Sequence, residues 1–340
     1  MQTEAVRMKT DKGRLDLKHA PVLIEAQDVS VDFVIEGHLP ARAVDGVSFV
    51  LREGEMLGIV GESGCGKTTL MLSVLRLLPA AGRIVSGKID FLGRDLLDLS
   101  EREMEDVRWK DISMIFQGAM NALNPVRRIG DQIGEAILCH DRYVSRSQVD
   151  QRVGDLLEMV GISADRRDQY PHQYSGGMRQ RAMMAMALAC SPQVVIADEP
   201  TTALDVMVQA QILELLDRLR RHLGLAVILV THDLGVVAEV CDTVLVMYGG
   251  VTAEYADVDT IFNHPQHPYT QQLLAAFPDL SNPQSRLISI PGYPPRPDDL
   301  PPGCRFAPRC NQVFARCHRE RPALHRLEGS HLASCHLLER

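Results

Sequence analysis

The sequence predicts an α/β protein with a largely parallel core sheet and an antiparallel β subdomain. Three observations lead there: short β-branched runs alternating with helical stretches, a glycine-rich turn between a buried strand and an amphipathic helix, and two alternating segments near the start. Val22 to Ile35 and Ala43 to Leu51 place apolar and polar residues in turn, the period of half-buried strands, and the second run ends at a Glu53-Gly54 turn. Met56 to Val60 is a short apolar run, so a buried strand, and it leads into GESGCGKTT. A helix is expected from Lys67 to about Leu78, with Leu70, Val74 and Leu77 on one face. Ser145 to Ile162 carries Val149, Val153, Leu156, Leu157 and Val160 at helix spacing, which sets a helical subdomain at roughly 120–175. Val194 to Ala197, Ala226 to Val230 and Val244 to Met247 are further strands, separated by helices such as Val206 to His222. The expected organisation is a flexible polar leader over 1–20, a main domain over 21–262, and a small module over 263–340, where proline, histidine and cysteine become frequent.

At 340 residues with 45% apolar content, the chain can bury a substantial core. No run approaches the ~18 consecutive apolar residues of a membrane span, and the charged opening is unlike a signal peptide. A formal net charge of −8 argues against free nucleic acid as a main partner, because phosphate backbones select basic surfaces.

Gly61-Glu62-Ser63-Gly64-Cys65-Gly66-Lys67-Thr68 fits the phosphate-loop pattern G-x-x-x-x-G-K-[ST]. Glycines let successive backbone N–H groups turn inward around phosphate oxygens, and the following helix presents its positive end to the same anion. Gly61, Ser63, Gly64, Cys65, Gly66, Lys67, Thr68 and Thr69 are the expected nucleotide contacts, with Lys67 on the β- and γ-phosphates and the Thr68 hydroxyl on Mg²⁺. Val194 to Glu199 is a buried strand that ends in two carboxylates, at the edge where sheet ligands bind. Asp198 would hold Mg²⁺, and Glu199 would polarise the attacking water. The eight-residue pattern, after an apolar strand and before an amphipathic helix, makes an ordinary glycine turn a poor explanation, whereas an acidic strand end alone is commonly a simple solvated turn. The two together point to a phosphate-loop NTPase, though equally to a kinase, a helicase, a GTPase or a recombinase.

Tyr174-Ser175-Gly176-Gly177-Met178-Arg179-Gln180 decides among these, because it resembles the LSGGQ signature of the ATP-binding cassette (ABC) family. The resemblance runs from Val22 to Met247 and implies the family's mixed core sheet, antiparallel β subdomain and helical subdomain. It also implies roles. Ser175, Gly176, Gly177 and Met178 would complete the ATP site of an opposing subunit, and Asp205 would couple the two sites. Gln117 would touch Mg²⁺ and the attacking water, His232 would contact the γ-phosphate, and Phe33 would stack on adenine. Lys67, Gln117, Glu199 and His232 are then the catalytic set. Tyr174 and Met178 depart from the usual leucine and glutamine, and Gly118-Ala119 from an acidic residue and proline.

His264-Pro265-Gln266-His267-Pro268-Tyr269-Thr270, followed by Leu273-Leu274, resembles the C-terminal region of oligopeptide and dipeptide importer ATPases; His264 and His267 read as packing residues. That branch implies ATP and Mg²⁺ as cofactors and a second, similar ATPase in a heterodimer. It also implies two transmembrane permease subunits and an extracytoplasmic solute-binding protein, with this chain on the cytoplasmic face of the inner membrane. Peptide is the expected cargo, with oligosaccharide, nickel or another small solute as alternatives. A soluble cassette ATPase of DNA repair or of ribosomes is disfavoured, since neither a second cassette nor a long coiled-coil insertion is present. A redox sensor that binds ATP is the third reading.

Four of the eight cysteines, Cys304, Cys310, Cys317 and Cys335, crowd the C-terminal module as C-x5-C-x6-C-x17-C. Zinc sites usually show paired C-x2–4-C spacing, whereas four thiolates on an irregular loop suit a [4Fe–4S] cluster, and this spacing resembles the cluster motif of some peptide-importer ATPases. Zinc and free thiols are the alternatives. ATP hydrolysis needs no redox centre, so a cluster here would be structural or regulatory.

Overall fold

A computed structural model describes residues 17–276 and 290–339, apart from 18, 35–36, 38–39, 119–121, 142 and 203. Most of the expected leader, Ala119 and Ala203 lie outside the described residues. The chain forms two compact units: 1–97 together with 231–340, and 98–230.

The first unit opens with β1 (Val22–Phe33) and β2 (Ala41–Arg52), antiparallel with Ala26 opposite Phe49 and Val31 opposite Val44. Next come β3 (Met56–Val60), buried at all five positions, and α1 (Lys67–Val74). Strand β4 (Gly82–Phe91) then pairs with the free edge of β1, and β5 (Arg94–Asp95) completes an antiparallel sheet of order β2-β1-β4-β5. Helix α1 is shorter than the expected run to Leu78. It closes in a Schellman arrangement, with Leu77 N–H donating to Leu72 O at 2.8 Å and Arg76 N–H to Ser73 O at 3.1 Å. Arg76 takes the left-handed conformation (φ 52°) that glycine usually supplies there, and Leu77 turns outward, 39% exposed.

The second unit contains α2 (Glu101–Val107), β6 (Ile112–Ile115), α3 (Ile129–His140), α4 (Arg146–Met159), α5 (Gly176–Ala187), β7 (Val194–Asp198), α6 (Val206–Leu223) and β8 (Ala226–Val230). Strands β6, β7 and β8 are parallel, with Met114 opposite Ile196 and Ile196 opposite Ile228. Burial on both faces explains why β7 and β8 read as unbroken apolar runs. Ser145 starts α4 with a reciprocal capping box to Gln148, and α6 ends on basic residues Arg220 to His222 before Gly224 in the left-handed conformation.

The chain then returns to the first unit through α7 (Leu234–Val240), β9 (Thr243–Tyr248), β10 (Val251–Asp257), α8 (Val258–Asn263), α9 (Pro268–Ala275), β11 (His325–Arg326) and β12 (Leu332–Ala333). Strand β9 runs parallel to β3, and β10 antiparallel to β9, so this sheet is mixed. Strand β12 pairs antiparallel with β10, Glu254 opposite Ala333, and β11 pairs with β12. The cysteine-bearing tail thereby continues the sheet that carries β3. Strands β4, β6 and β10 are absent from the sequence reading; β6 is only four residues long, and β4 is largely exposed along its middle.

Candidate active site

In the first unit, β3 delivers the chain into a loop whose curvature depends on glycine. Gly61 (φ 149°) and Gly66 (φ 100°) lie in backbone regions that disfavour side chains. A Cβ on Gly61 would stand 2.2 Å from Met247 O, and one on Gly66 would stand 2.4 Å from Ala43 O. Gly64 (φ 79°) faces open space. Lys67, 6% exposed at the first turn of α1, bends back into the loop and donates Nζ to Gly61 O (2.7 Å) and Glu62 O (3.0 Å). Cys65 is buried against this lysine, and burial pushes its thiol pKa up. Ser63 and Thr68 are exposed, and Thr69 is half-buried. The loop thus offers backbone N–H groups, one buried cation and a hydroxyl at a helix start, a donor set that fits a Mg²⁺-bound polyphosphate.

Two further predicted residues belong to this unit. His232 is exposed in a turn where Thr231 N–H donates to Ile59 O at 3.2 Å, and Asp233 Oδ1 caps α7 by accepting from Gly235 and Val236. Phe33 is half-buried at the end of β1, its ring 3.4 Å from where a Cβ on Gly82 would sit.

In the second unit, β7 ends at Asp198, 1% exposed, and the next residue, Glu199, adopts a left-handed backbone (φ 45°). For a residue with a side chain that conformation costs on the order of 1–3 kcal/mol. It is held by Glu199 N–H donating to Val230 O (2.9 Å) and by Thr202 N–H donating to Glu199 O (3.2 Å). The Glu199 carboxylate accepts from Gln117 Nε2 at 2.7 Å and from Thr202 Oγ1 at 3.0 Å. Gln117 and Glu199, 82 positions apart in sequence, are therefore direct partners. Thr202 is a partner that the sequence reading missed; its place three residues beyond Glu199 in the turn was the available signal.

The signature segment caps α5 in the same unit. Ser175 Oγ accepts from Met178 N–H at 3.3 Å, and Asp205 Oδ1 caps α6 by accepting from Val208 N–H at 2.9 Å. Gly177 is required by close approach, since a Cβ there would lie 2.8 Å from Val208 Cγ1. Ser175, Gly176, Gly177, Met178 and Asp205 all line one open cleft of about 490 Å³, which also holds Arg179. A glycine turn at a helix N-terminus suits an anion.

The four C-terminal cysteines also converge. Cys304, Cys310, Cys317 and Cys335 line one small cavity together with His267, Phe306 and His336. Cys304 N–H donates to Cys317 O at 2.8 Å, which ties two of the cysteine segments together. Backbone N–H groups point at three of the sulfurs: those of Phe306 and Ala307 at Cys304, Gln312 at Cys310, and Leu337 at Cys335. Burial raises these three thiols, Cys304 to about 11. Among the described residues, no three His, Cys, Asp or Glu side chains gather as a cage for a single ion. Four thiols lining one cavity are donors of the type that thiolate-ligated metal groups use. His267 is 4% exposed, and burial lowers it to about 4, so it is a neutral packing residue whose Nδ1 accepts from Tyr269 N–H.

Comparison with known proteins shows which family the chain resembles. A family model described as "ABC transporter" matches residues 44–202, and one described as "Oligopeptide/dipeptide transporter, C-terminal region" matches residues 253–317. The chain is 49% identical over 320 residues to a probable peptide ABC transporter ATP-binding protein, y4tR, of Sinorhizobium fredii, covering 93% of this chain and 95% of that one. It is 46% identical over 316 residues to the dipeptide transport ATP-binding protein DppD of Escherichia coli (92% and 96% covered). The Bacillus subtilis protein of the same name is 48% identical over 318 residues (93% and 94% covered). Among solved structures, the ATP-binding cassette MJ0796, in a dimeric post-hydrolysis state bound to ADP and Pi, superimposes with a TM-score of 0.62 at 26% identity, covering 69% of this chain and 99% of that one.

Proposed function

The chain belongs to the ABC transporter ATPase family, in its oligopeptide/dipeptide importer branch, and from that premise we propose how its residues drive peptide uptake. It is the ATP-hydrolysing subunit of a peptide importer. The glycine loop around Lys67 holds the triphosphate, with Thr68 and Asp198 on Mg²⁺. Glu199 polarises the attacking water, Gln117 orients that water and the metal, and His232 senses the γ-phosphate. Ser175, Gly176, Gly177, Met178 and Asp205 face the ATP of a second, similar ATPase, and Phe33 meets adenine. The observation that carries this reading is the 2.7 Å contact between Gln117 Nε2 and Glu199 Oε2, because it aims the amide at the carboxylate expected to activate water.

The ATPase works beneath two membrane subunits, at the cytoplasmic face of the inner membrane, supplied by an extracytoplasmic binding protein. Among the described residues no helix is long and apolar enough to cross a membrane. A groove of about 300 Å³ along α3 and α4, lined by Arg127, Leu138, Arg146 and Val149, is the seat for a permease helix. Hydrolysis and uptake together test the assignment. Liposomes carrying the whole transporter should accumulate a dipeptide only with ATP, and Glu199→Gln should abolish that accumulation. Uptake of nickel or an oligosaccharide in place of peptide would reassign the cargo.

Cys304, Cys310, Cys317 and Cys335 hold a [4Fe–4S] cluster, with zinc as the second reading. Zinc would need all four sulfurs about 2.3 Å from one ion in a tetrahedral arrangement. Bound there, the cluster supplies a covalent cross-link between tail segments that otherwise rely on short 3₁₀ turns. Anaerobic purification should give a brown protein with about four irons and four sulfides per chain. Stoichiometric zinc in a colourless protein overturns this in favour of the second reading.

A further inference from the structure

Glu62 is the first variable position of the phosphate loop, and the pattern G-x-x-x-x-G-K-[ST] asks nothing of it. Residues of the C-terminal region nevertheless hold it at two points. Its N–H donates to the Tyr269 hydroxyl at 3.0 Å. Its carboxylate accepts both arms of the Arg309 guanidinium, NH1 at 2.5 Å and NH2 at 2.9 Å, across 247 positions of sequence.

Arg309 is itself fixed. It is 8% exposed, Nε donates to Pro291 O (2.8 Å), NH1 also reaches Tyr248 Oη (3.2 Å), and NH2 also reaches Ile290 O (3.3 Å). All five N–H donors of a guanidinium are thus engaged, and the group lies 5.7 Å from the centre of the Tyr248 ring. Tyr248, Tyr269, His267 and Phe306 pack as an aromatic cluster around the same anchor. A planar donor with no unused hydrogen and little solvent has one position available to it, and a bidentate partner inherits that position.

What Glu62 inherits reaches the nucleotide site. Its carbonyl accepts from Lys67 Nζ at 3.0 Å and from Cys65 N–H at 3.3 Å, so its orientation sets the loop turn and where the lysine rests. We propose that Arg309, with Tyr269, is a positioning residue for the phosphate loop: the C-terminal region holds Glu62 and thereby sets the affinity of the loop for ATP. The inference rests on the reading of this loop as the ATP site. It does not depend on what the cysteines hold, although Arg309 directly precedes Cys310.

A double-mutant cycle on the full-length chain tests it, with Glu62→Gln, Arg309→Met and the pair combined. The measurements are MgATP affinity by displacement of a fluorescent ATP analogue, KM and kcat for hydrolysis in the assembled transporter, and melting without nucleotide. Each single variant should weaken MgATP binding and raise KM about tenfold while kcat changes less than threefold, as expected when a partly buried, hydrogen-bonded charge pair is broken. The double variant should be no weaker than the worse single. Tyr269→Phe removes one acceptor and should cost about threefold. If Arg309→Met fails to fold, Glu62→Gln and Tyr269→Phe still decide, because neither empties the core. Unchanged affinity in both, or additive losses in the cycle, overturns the proposal. A wild-type chain that binds no ATP would instead overturn the reading of the site.

Discussion

The loops of the cassette and the loops of the tail hold their shapes by different means. In the cassette, short buried strands launch the phosphate loop and the Glu199 turn, and backbone groups set the loop geometry: glycine at Gly61, Gly66 and Gly177, and a left-handed Glu199. In the tail beyond α9, regular structure among the described residues is reduced to two-residue strands and 3₁₀ turns, and buried polar side chains take over. Arg305, with a 2% exposed side chain, joins Asp45 and Gly249 O; Arg309 joins Glu62; His331 Nε2 meets the fully buried Glu254 at 2.7 Å. A loop shaped by its backbone leaves a motif in the sequence. A loop shaped by distant side chains leaves scattered residues whose partners cannot be named until the chain is folded.

Three experiments would break or sharpen this contrast. The largest effect belongs to chemistry alone. Glu199→Gln should lower ATP hydrolysis by about 10²–10⁴-fold, measured as phosphate release, with ATP binding and melting temperature nearly unchanged. Parallel losses of binding and stability would show that the carboxylate holds the turn rather than the water. Next is a backbone effect. Gly66→Ala forces a Cβ to within 2.4 Å of Ala43 O at φ 100° and should destabilise the loop by about 2–3 kcal/mol, read as lost ATP affinity and a lower melting temperature.

The effect that is smallest near neutral pH lies in the tail and is read through pH. His267 titrates near 4 in the folded chain because burial opposes its charge, against an ordinary 6.5. Between these values the unfolded chain binds the proton and the folded chain does not. Stability present above pH 6.5 should therefore be lost as pH falls toward 4, by at most roughly 3 kcal/mol. His267→Asn, which keeps an acceptor for Tyr269 N–H, should flatten that limb in chemical denaturation curves. An unchanged acid limb would assign the loss to other groups.

The same contrast explains what could be read from the sequence. The strand pair over 22–52, the buried runs at 56–60, 194–198 and 226–230, and the helices from Arg146 and Val206 follow from period and length, and all are present. The phosphate loop was legible because its spacing is local, and Gln117, Glu199 and the Ser175 segment because their order along the chain resembles the family's; that Gln117 bonds Glu199 and that Ser175 caps α5 only the fold shows. Strand β4 was missed because its middle faces solvent and shows no apolar stripe; the early end of α1 was missed because an arginine does there what glycine usually does. The link from Arg309 to Glu62 has no period and no short spacing, so nothing in the sequence could announce it.

Strand β12 on the edge of β10 bears on how this protein can be divided. A boundary drawn near residue 262, where the cassette motifs are complete, looks like a place to cut. Cutting there would strip the edge from β10, uncover Tyr248 and the fully buried Glu254 carboxylate, and leave Glu62 without its two anchors. For expression, fusion or subunit exchange, the smallest transferable piece therefore extends through Cys335, and chimaeras that splice this tail onto a foreign cassette must carry Glu62 and Asp45 with it.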